Sequence, residues 1–259
     1  MPAKKKKEVV VEKTPQEKCL EKLDADMAAS IDLPQAAYFG NTKQIALLLG
    51  GKAKVKVDAP DTITGQTPFA LAAMNGHRKA VEALLEGGAE LNKQGHGGQT
   101  ALHLACANEH IELVEWLIEA KADIEVEDDA GNSPMNEAAR NGHLKIVDIL
   151  CEAGGNMEHA NKAGCTPFLN STLTNKGAAV EVLVRRKCQL DVTNKDGCSA
   201  LHIATMCGYE KLLRQLLGSM VHLVGMVNNK GQKAMEMTTN KDLLAIFEKF
   251  TDRTKKSRA

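Results

Sequence analysis

Thr67-Pro68-Phe69-Ala70-Leu71-Ala72-Ala73, followed by Asn75-Gly76-His77, is a phrase that the chain goes on repeating. Thr100-Ala101-Leu102-His103-Leu104-Ala105 and His110 restate it. Ser133-Pro134-Met135, Ala138-Ala139 and Asn141-Gly142-His143 come next, then Thr166-Pro167-Phe168, then Ser199-Ala200-Leu201-His202-Ile203-Ala204. The anchors 67, 100, 133, 166 and 199 are each 33 residues apart. A fixed period of this size marks stacked repeats, each burying apolar surface only against its neighbours. At 259 residues the chain exceeds one ordinary core. Stacking lifts that limit, so a single elongated domain is expected.

Each phrase reads as two helices. Thr or Ser before Pro starts the first: the hydroxyl caps free N–H groups and Pro suits the first helical position. Asn-Gly-His ends it, because Gly accepts a left-handed cap. A second helix carries apolar residues at helical spacing: Val81, Leu84 and Leu85; Leu113, Val114, Leu117 and Ile118; Ile146, Val147, Ile149 and Leu150. It stops at Gly87-Gly88 in one repeat and Gly154-Gly155 in another. A polar stretch with Gly98, Gly131, Gly164, Gly197 or Gly231 then leads into the next unit.

These residues resemble the ankyrin repeat, whose signature is T-P-L-H-x-A at a period of 33. The resemblance spans about residues 31–250, with five units in register. It implies an all-α helical-repeat solenoid of helix-turn-helix units, with the polar stretches as β-hairpin fingers. Repeats fall near 31–63, 64–96, 97–129, 130–162, 163–195 and 196–229, with a truncated unit at 230–250. The first repeat (Leu33-Pro34-Gln35-Ala36-Ala37, Gly40) precedes the second by 36 residues, and the extra length lies in Lys54–Thr64. The last helix is expected at Asp242–Phe250. Repeat five departs: Leu169-Asn170-Ser171-Thr172 and Asn175-Lys176 replace the usual residues, which predicts a local bend or contact.

The ends differ in composition. Residues 1–13 hold five Lys against two Glu, and residues 249–259 hold five basic residues against one Asp. Residues 1–13 and 251–259 read as disordered basic tails. Thr14-Pro15-Gln16-Glu17 reads as a capping box. It opens a helix within 14–30, from about Pro15 to Ala29, with Leu20, Leu23 and Met27 on the side that covers repeat one. Lys4–Lys7 suits nuclear import or phosphate contact, though such runs are usually solvated tails.

Net charge is zero, so the body is acidic. From Glu109 to Asp129 stand nine acidic residues against Lys121 alone. Phosphate contacts need a basic face, so nucleic-acid binding through the repeat body is disfavoured. Most acids of this run read as an outer helix face. Glu127, Asp128 and Asp129 fall at a finger tip, where they would steer a basic partner surface. Changing all three to Lys is expected to weaken partner binding with little loss of stability.

The seven Cys form no C-x-x-C pair, which reads as reduced thiols of a cytoplasmic compartment. No segment is apolar enough to span a membrane, and no signal peptide is visible. Zinc, phosphate-loop and metalloprotease spacings are lacking. No nucleophile, base and orienting group are brought together by the repeat. The expectation is a protein without catalysis, cofactor or metal. His103 and His202 are the His of the T-P-L-H phrase; in the family that ring bonds to backbone near the finger. Asn92 sits where family members can be hydroxylated, and an ordinary finger Asn is the simpler reading. Trp116 is placed on the second helix, for packing.

The resemblance implies protein partners across the concave side, made of finger tips and first-helix ends. Register selects Asn75, Asn108, Arg140, Asn141, Thr174 and Met206 on the helices. It selects Gln94, His96, Glu127, Asp128, Asp129, Asn132, Lys162 and Lys195 on the fingers. The reading is a non-catalytic scaffold or adaptor for one or more proteins. A structural subunit of a large assembly, in the style of small ankyrin subunits of the ciliary axoneme, is the alternative. A nuclear ankyrin cofactor is the second alternative.

Overall fold

The computed structural model describes residues 32–51 and 55–256. The Lys4–Lys7 run and the helix expected from Pro15 to Ala29 lie outside the described residues. Paired helices follow one another along the chain. Repeat one holds α1 (Leu33–Tyr38) and α2 (Thr42–Gly50). Repeat two holds α3 (Pro68–Met74) and α4 (Arg78–Glu86). Repeat three holds α5 (Ala101–Ala107) and α6 (Ile111–Glu119). Repeat four holds α7 (Pro134–Asn141) and α8 (Leu144–Glu152). Repeat five holds α9 (Pro167–Leu173) and α10 (Gly177–Arg185). Repeat six holds α11 (Ala200–Met206) and α12 (Glu210–Met220). The last unit replaces its first helix with a 3₁₀ turn (Ala234–Met237) and ends on α13 (Lys241–Lys256).

The caps are those that the sequence predicts. Thr67 Oγ1 accepts from Ala70 N–H at 3.1 Å, and Ser133 and Thr166 do the same two and three repeats later, at 3.4 Å. Each satisfies an orphan donor of its helix. The core is a register line: Phe69, Leu102, Met135, Phe168 and Leu201 are all at most 2 % exposed. Ala72-Ala73, Ala105-Cys106, Ala138-Ala139 and Ala204-Thr205 are buried beside it, and their small size lets first helices approach closely.

Repeat five keeps this packing. Its Ser171 and Thr172 are near-isosteres of Ala and Cys, and both are fully buried. Both hydroxyls donate to Phe168 O at 2.9 Å, so neither is left without a partner. Trp116 is half-buried on α6 and packs against the core.

Two expectations are revised. Among the described residues the fingers hold no strands, only one isolated bridge between Val227 and Lys233. Each finger is a turn too short for a ladder. Asp128 N–H donates to Asn132 O, Asn161 to Cys165, Asn194 to Cys198 and Asn228 to Gln232, each four residues on. In the first finger Asp61 N–H reaches Gln66 O, five residues on, which locates one of the extra residues. Fingers join their neighbours instead: Asp129 N–H donates to Gly97 O, Lys162 to Ala130, Lys195 to Ala163 and Asn229 to Asp196.

The second revision is at the C-terminus. Helix α13 runs to Lys256, past the expected end at Phe250 and into the segment read as a disordered tail. Leu243, Ile246 and Phe247 bury one face, and Thr251 Oγ1 donates back to Phe247 O at 3.0 Å.

Candidate protein-binding groove

One register line follows the C-terminal ends of the first helices: Tyr38, Met74, Ala107, Arg140, Leu173 and Met206. Tyr38, Leu173 and Met206 are exposed apolar side chains at 42 %, 44 % and 57 %. Phe39 follows Tyr38 at 69 % exposed, and Ile63 on the first finger stands at 87 %. Tyr38 and Phe39 meet edge to face, 5.2 Å apart. Together with Pro34, Gln35, Asp61, Thr64 and Leu71 they line a cleft of about 320 Å³. The groove between helix ends and fingers is therefore apolar at both ends. Arg140, 53 % exposed, marks its middle.

A deeper register line forms the groove floor: Leu71, Leu104, Glu137, Asn170 and Ile203. All five are at most 6 % exposed. Glu137 lies 3.7 Å from Arg140 Nη1. Burial pushes its carboxyl above the usual carboxylate range, Arg140 opposes that shift, and Asp128 adds to it.

The fourteen residues selected by register divide by what they touch. Asn75, Asn108 and Asn141 each donate Nδ2–H to a carbonyl four residues back, namely Leu71, Leu104 and Glu137, at 2.8–3.0 Å. They close the first helices. Thr174 Oγ1 donates to Arg140 O of the preceding repeat at 2.7 Å. Gln94 Nε2 donates to Glu127 O, and Lys162 Nζ to Asp129 O, so these tie finger to finger. His96, Glu127, Asp129, Arg140, Lys195 and Met206 present exposed side chains.

Asp128 and Asn132 are buried, at 9 % and 5 % exposed. Asp128 Oδ1 accepts from Ala130 N–H at 2.9 Å and Asn132 N–H at 2.7 Å. Its Oδ2 accepts from Asn132 Nδ2 at 3.2 Å. Asn161, Asn194 and Asn228 hold their own fingers the same way. The expectation that Asp128 could be reversed to Lys at little cost is therefore corrected: its carboxylate builds the turn. Asn92 is structural too. Its Oδ1 accepts from Asp123 N–H at 3.0 Å, as Glu125 accepts from Asn156 and Glu158 from Gln189.

The His of the T-P-L-H phrase bonds as the resemblance implies. Thr100 N–H donates to His103 Nδ1 at 3.2 Å, which leaves Nε2–H to donate to Asn132 O at 3.0 Å. His202 repeats this toward Gln232 O. Burial pulls the His103 ring below its usual value. Burial likewise pushes up the thiols of Cys106, Cys151, Cys165, Cys188 and Cys198, that of Cys188 to about 12. A buried thiol of this kind is a poor nucleophile. Among the described residues no three His, Cys, Asp or Glu side chains gather as metal ligands, and no helix is long and apolar enough to cross a membrane.

Sequence reasoning missed the floor line and the apolar first-repeat end. A signal existed for the floor: Glu137 and Asn170 stand where other repeats carry Leu or Ile. Tyr38, Phe39 and Ile63 were hidden by the 36-residue offset of repeat one.

A family model for ankyrin repeats in three copies matches residues 33–128, 88–161, 116–194 and 135–225. The fold is similar to the crystal structure of the ankyrin repeat domain of Bcl-3, described as a unique member of the IkappaB protein family. The TM-score is 0.71 at 22 % identity, over 85 % of this chain and 98 % of that one. With the stacked helix pairs, the finger turns and the family match in agreement, the chain belongs to the ankyrin-repeat family.

Proposed function

We propose that the protein is a non-catalytic scaffold or adaptor that holds a protein partner in the groove. One observation carries this reading. Large apolar side chains are exposed along the groove: Tyr38, Phe39, Ile63, Leu173 and Met206. Apolar residues exposed together on one face of a folded chain mark interaction sites. The exposed acids Glu127 and Asp129 on the adjoining finger favour a partner with a basic surface. The described cysteines are all free thiols, which suits a reducing, cytoplasmic setting.

The test is proximity labelling from the tagged protein in its own cells, beside a Leu173→Glu, Met206→Glu variant. Both sites are exposed, so the variant is expected to fold. Partners labelled by the wild type and lost from the variant support the groove. Identical partner sets overturn it. Salt extraction separates the two biological settings. Free exchange with soluble partners is the adaptor outcome. A salt-resistant particle containing cytoskeletal subunits is the permanent-subunit outcome.

A further inference from the structure

Repeats two, three and six fill the groove floor with Leu71, Leu104 and Ile203. Repeats four and five put Glu137 and Asn170 there, one repeat apart on α7 and α9. Both are 4 % exposed. Asn170 Nδ2 is buried and has no hydrogen-bond partner among the described residues. The Glu137 carboxylate accepts no hydrogen bond from them either; it faces Arg140 Nη1 at 3.7 Å. A buried polar group left unpaired disfavours the folded state, and Leu71, Leu104 and Ile203 show that an apolar side chain fits this position. Local rules broken in a folded protein concentrate at functional sites.

The register line through Leu71, which lines the first-repeat cleft, shows that this position faces the groove. We infer that Glu137 and Asn170 form a notch that binds an amide group of a docked protein segment. The amide carbonyl accepts from Asn170 Nδ2–H, and the amide N–H donates to the Glu137 carboxylate. This rests on the groove-binding reading above. Arg140 already balances the charge of Glu137, so the unmet capacity is for hydrogen bonds rather than for a cation. A lysine or arginine would also leave Asn170 without an acceptor, and a carboxylate would meet Glu137. An amide supplies one acceptor and one donor. It comes either from a Gln or Asn side chain or from a peptide unit of an extended segment.

The experiment uses the full chain and a phage-displayed library of random peptides. Selected peptides are titrated against wild type, Asn170→Leu, Asn170→Asp and Glu137→Leu. Asn170→Leu copies Leu71, and Asn170→Asp keeps the shape while removing the donor. Each variant is expected to remain folded by circular dichroism and to weaken binding about tenfold, which corresponds to about 1.4 kcal/mol. Changing one Gln or Asn of the peptide to Leu, or N-methylating one of its peptide bonds, is expected to cost the same factor on wild type. It is expected to cost nothing further on Asn170→Asp. The first result identifies a side-chain amide and the second a main-chain one.

Peptides lost from Leu173→Glu, Met206→Glu but indifferent to Asn170 and Glu137 overturn the notch and leave the groove standing. Coupling of Glu137 to a peptide Lys or Arg overturns it in favour of a cation site. Peptides indifferent to all these variants overturn the groove reading as well. A library that yields no binder overturns recognition of an amide in an extended segment.

Discussion

Thr174 Oγ1 donates to Arg140 O at 2.7 Å, and in doing so takes over a bond that a ring makes at the other junctions. His110 Nε2 reaches Met74 O, His143 reaches Ala107 O, and Tyr209 Oη reaches Leu173 O, each 36 residues back. His77 reaches Tyr38 O, 39 residues back, because of the inserted length. All these carbonyls end first helices, where no intrahelical donor is left. In repeat five the ring position holds Lys176, which makes no such bond, so the shorter Thr174 supplies the donor from two residues earlier. Thr174→Val is expected to destabilise by about 1 kcal/mol. Lys176→His is expected to restore most of that loss, and chemical denaturation of the single and double variants measures it. Equal stability of Thr174→Val and wild type would remove this bond from the account.

The helix pairs were legible because their signals are local: a hydroxyl before Pro, Gly after the apolar run, and a period that repeats. The sequence ends helix α13 at Phe250 because Thr251 reads as polar tail, whereas its hydroxyl bonds within the helix. The hairpin form of the fingers is implied by the resemblance alone, and a sequence does not show that a turn closes within four residues. The buried role of Asp128 was hidden because the groups it holds are backbone N–H groups. Yet Asn161, Asn194 and Asn228 at the same register already hinted that the position wants an oxygen acceptor rather than a charge.

That acceptor makes the acidic finger separable into parts. Asp128→Ala leaves two finger N–H groups without their acceptor. It is expected to cost about 2 kcal/mol, the scale of hydrogen bonds to a charged group. Asp128→Asn is expected to cost about 1 kcal/mol or less, since Asn fills three other fingers. Glu127→Lys with Asp129→Lys changes only exposed side chains. It is expected to leave the melting temperature unchanged and to slow association with a basic partner. Thermal unfolding and association rates at low and high salt measure the two effects.

Second helices end in the left-handed region at residues 88, 121, 154 and 187. Gly88 and Gly154 fill two of these positions, with φ 94° and 88°. Lys121 and Lys187 adopt φ 69° and 64° there. A Cβ on Gly154 would meet nothing, so only conformation is at stake. Left-handed strain is roughly 1–2 kcal/mol for a residue with a side chain. Glycine's extra freedom in the unfolded chain offsets about 0.5–1 kcal/mol of that. Lys187→Gly is therefore expected to stabilise by about 0.5–1 kcal/mol, and Gly154→Ala to destabilise by a similar amount. Denaturant midpoints that move in the opposite directions would refute this balance.

His103 ties stability to pH. Its Nδ1 faces the Thr100 N–H and its Nε2–H is given to Asn132 O, so the neutral ring is satisfied on both sides. Burial holds the ring below its ordinary value of 6.5, against the opposing pull of Asn132 O and Asp128. The unfolded chain then takes up a proton, from about pH 6.5 downward, that the folded chain refuses. Stability contributed by this group is full above pH 6.5 and falls as pH drops toward the lowered folded value. The slope is at most about 1.4 kcal/mol per pH unit. Repeat four shows the control: Asn136 stands in the same place, accepting from Ser133 Oγ at 2.8 Å and donating to Cys165 O at 3.1 Å without a titrating ring. His103→Asn is expected to fold and to flatten the loss of stability between pH 7 and pH 5. Parallel stability–pH curves for the two proteins would show that His103 takes the proton when folded, and that its burial does not set the acid sensitivity.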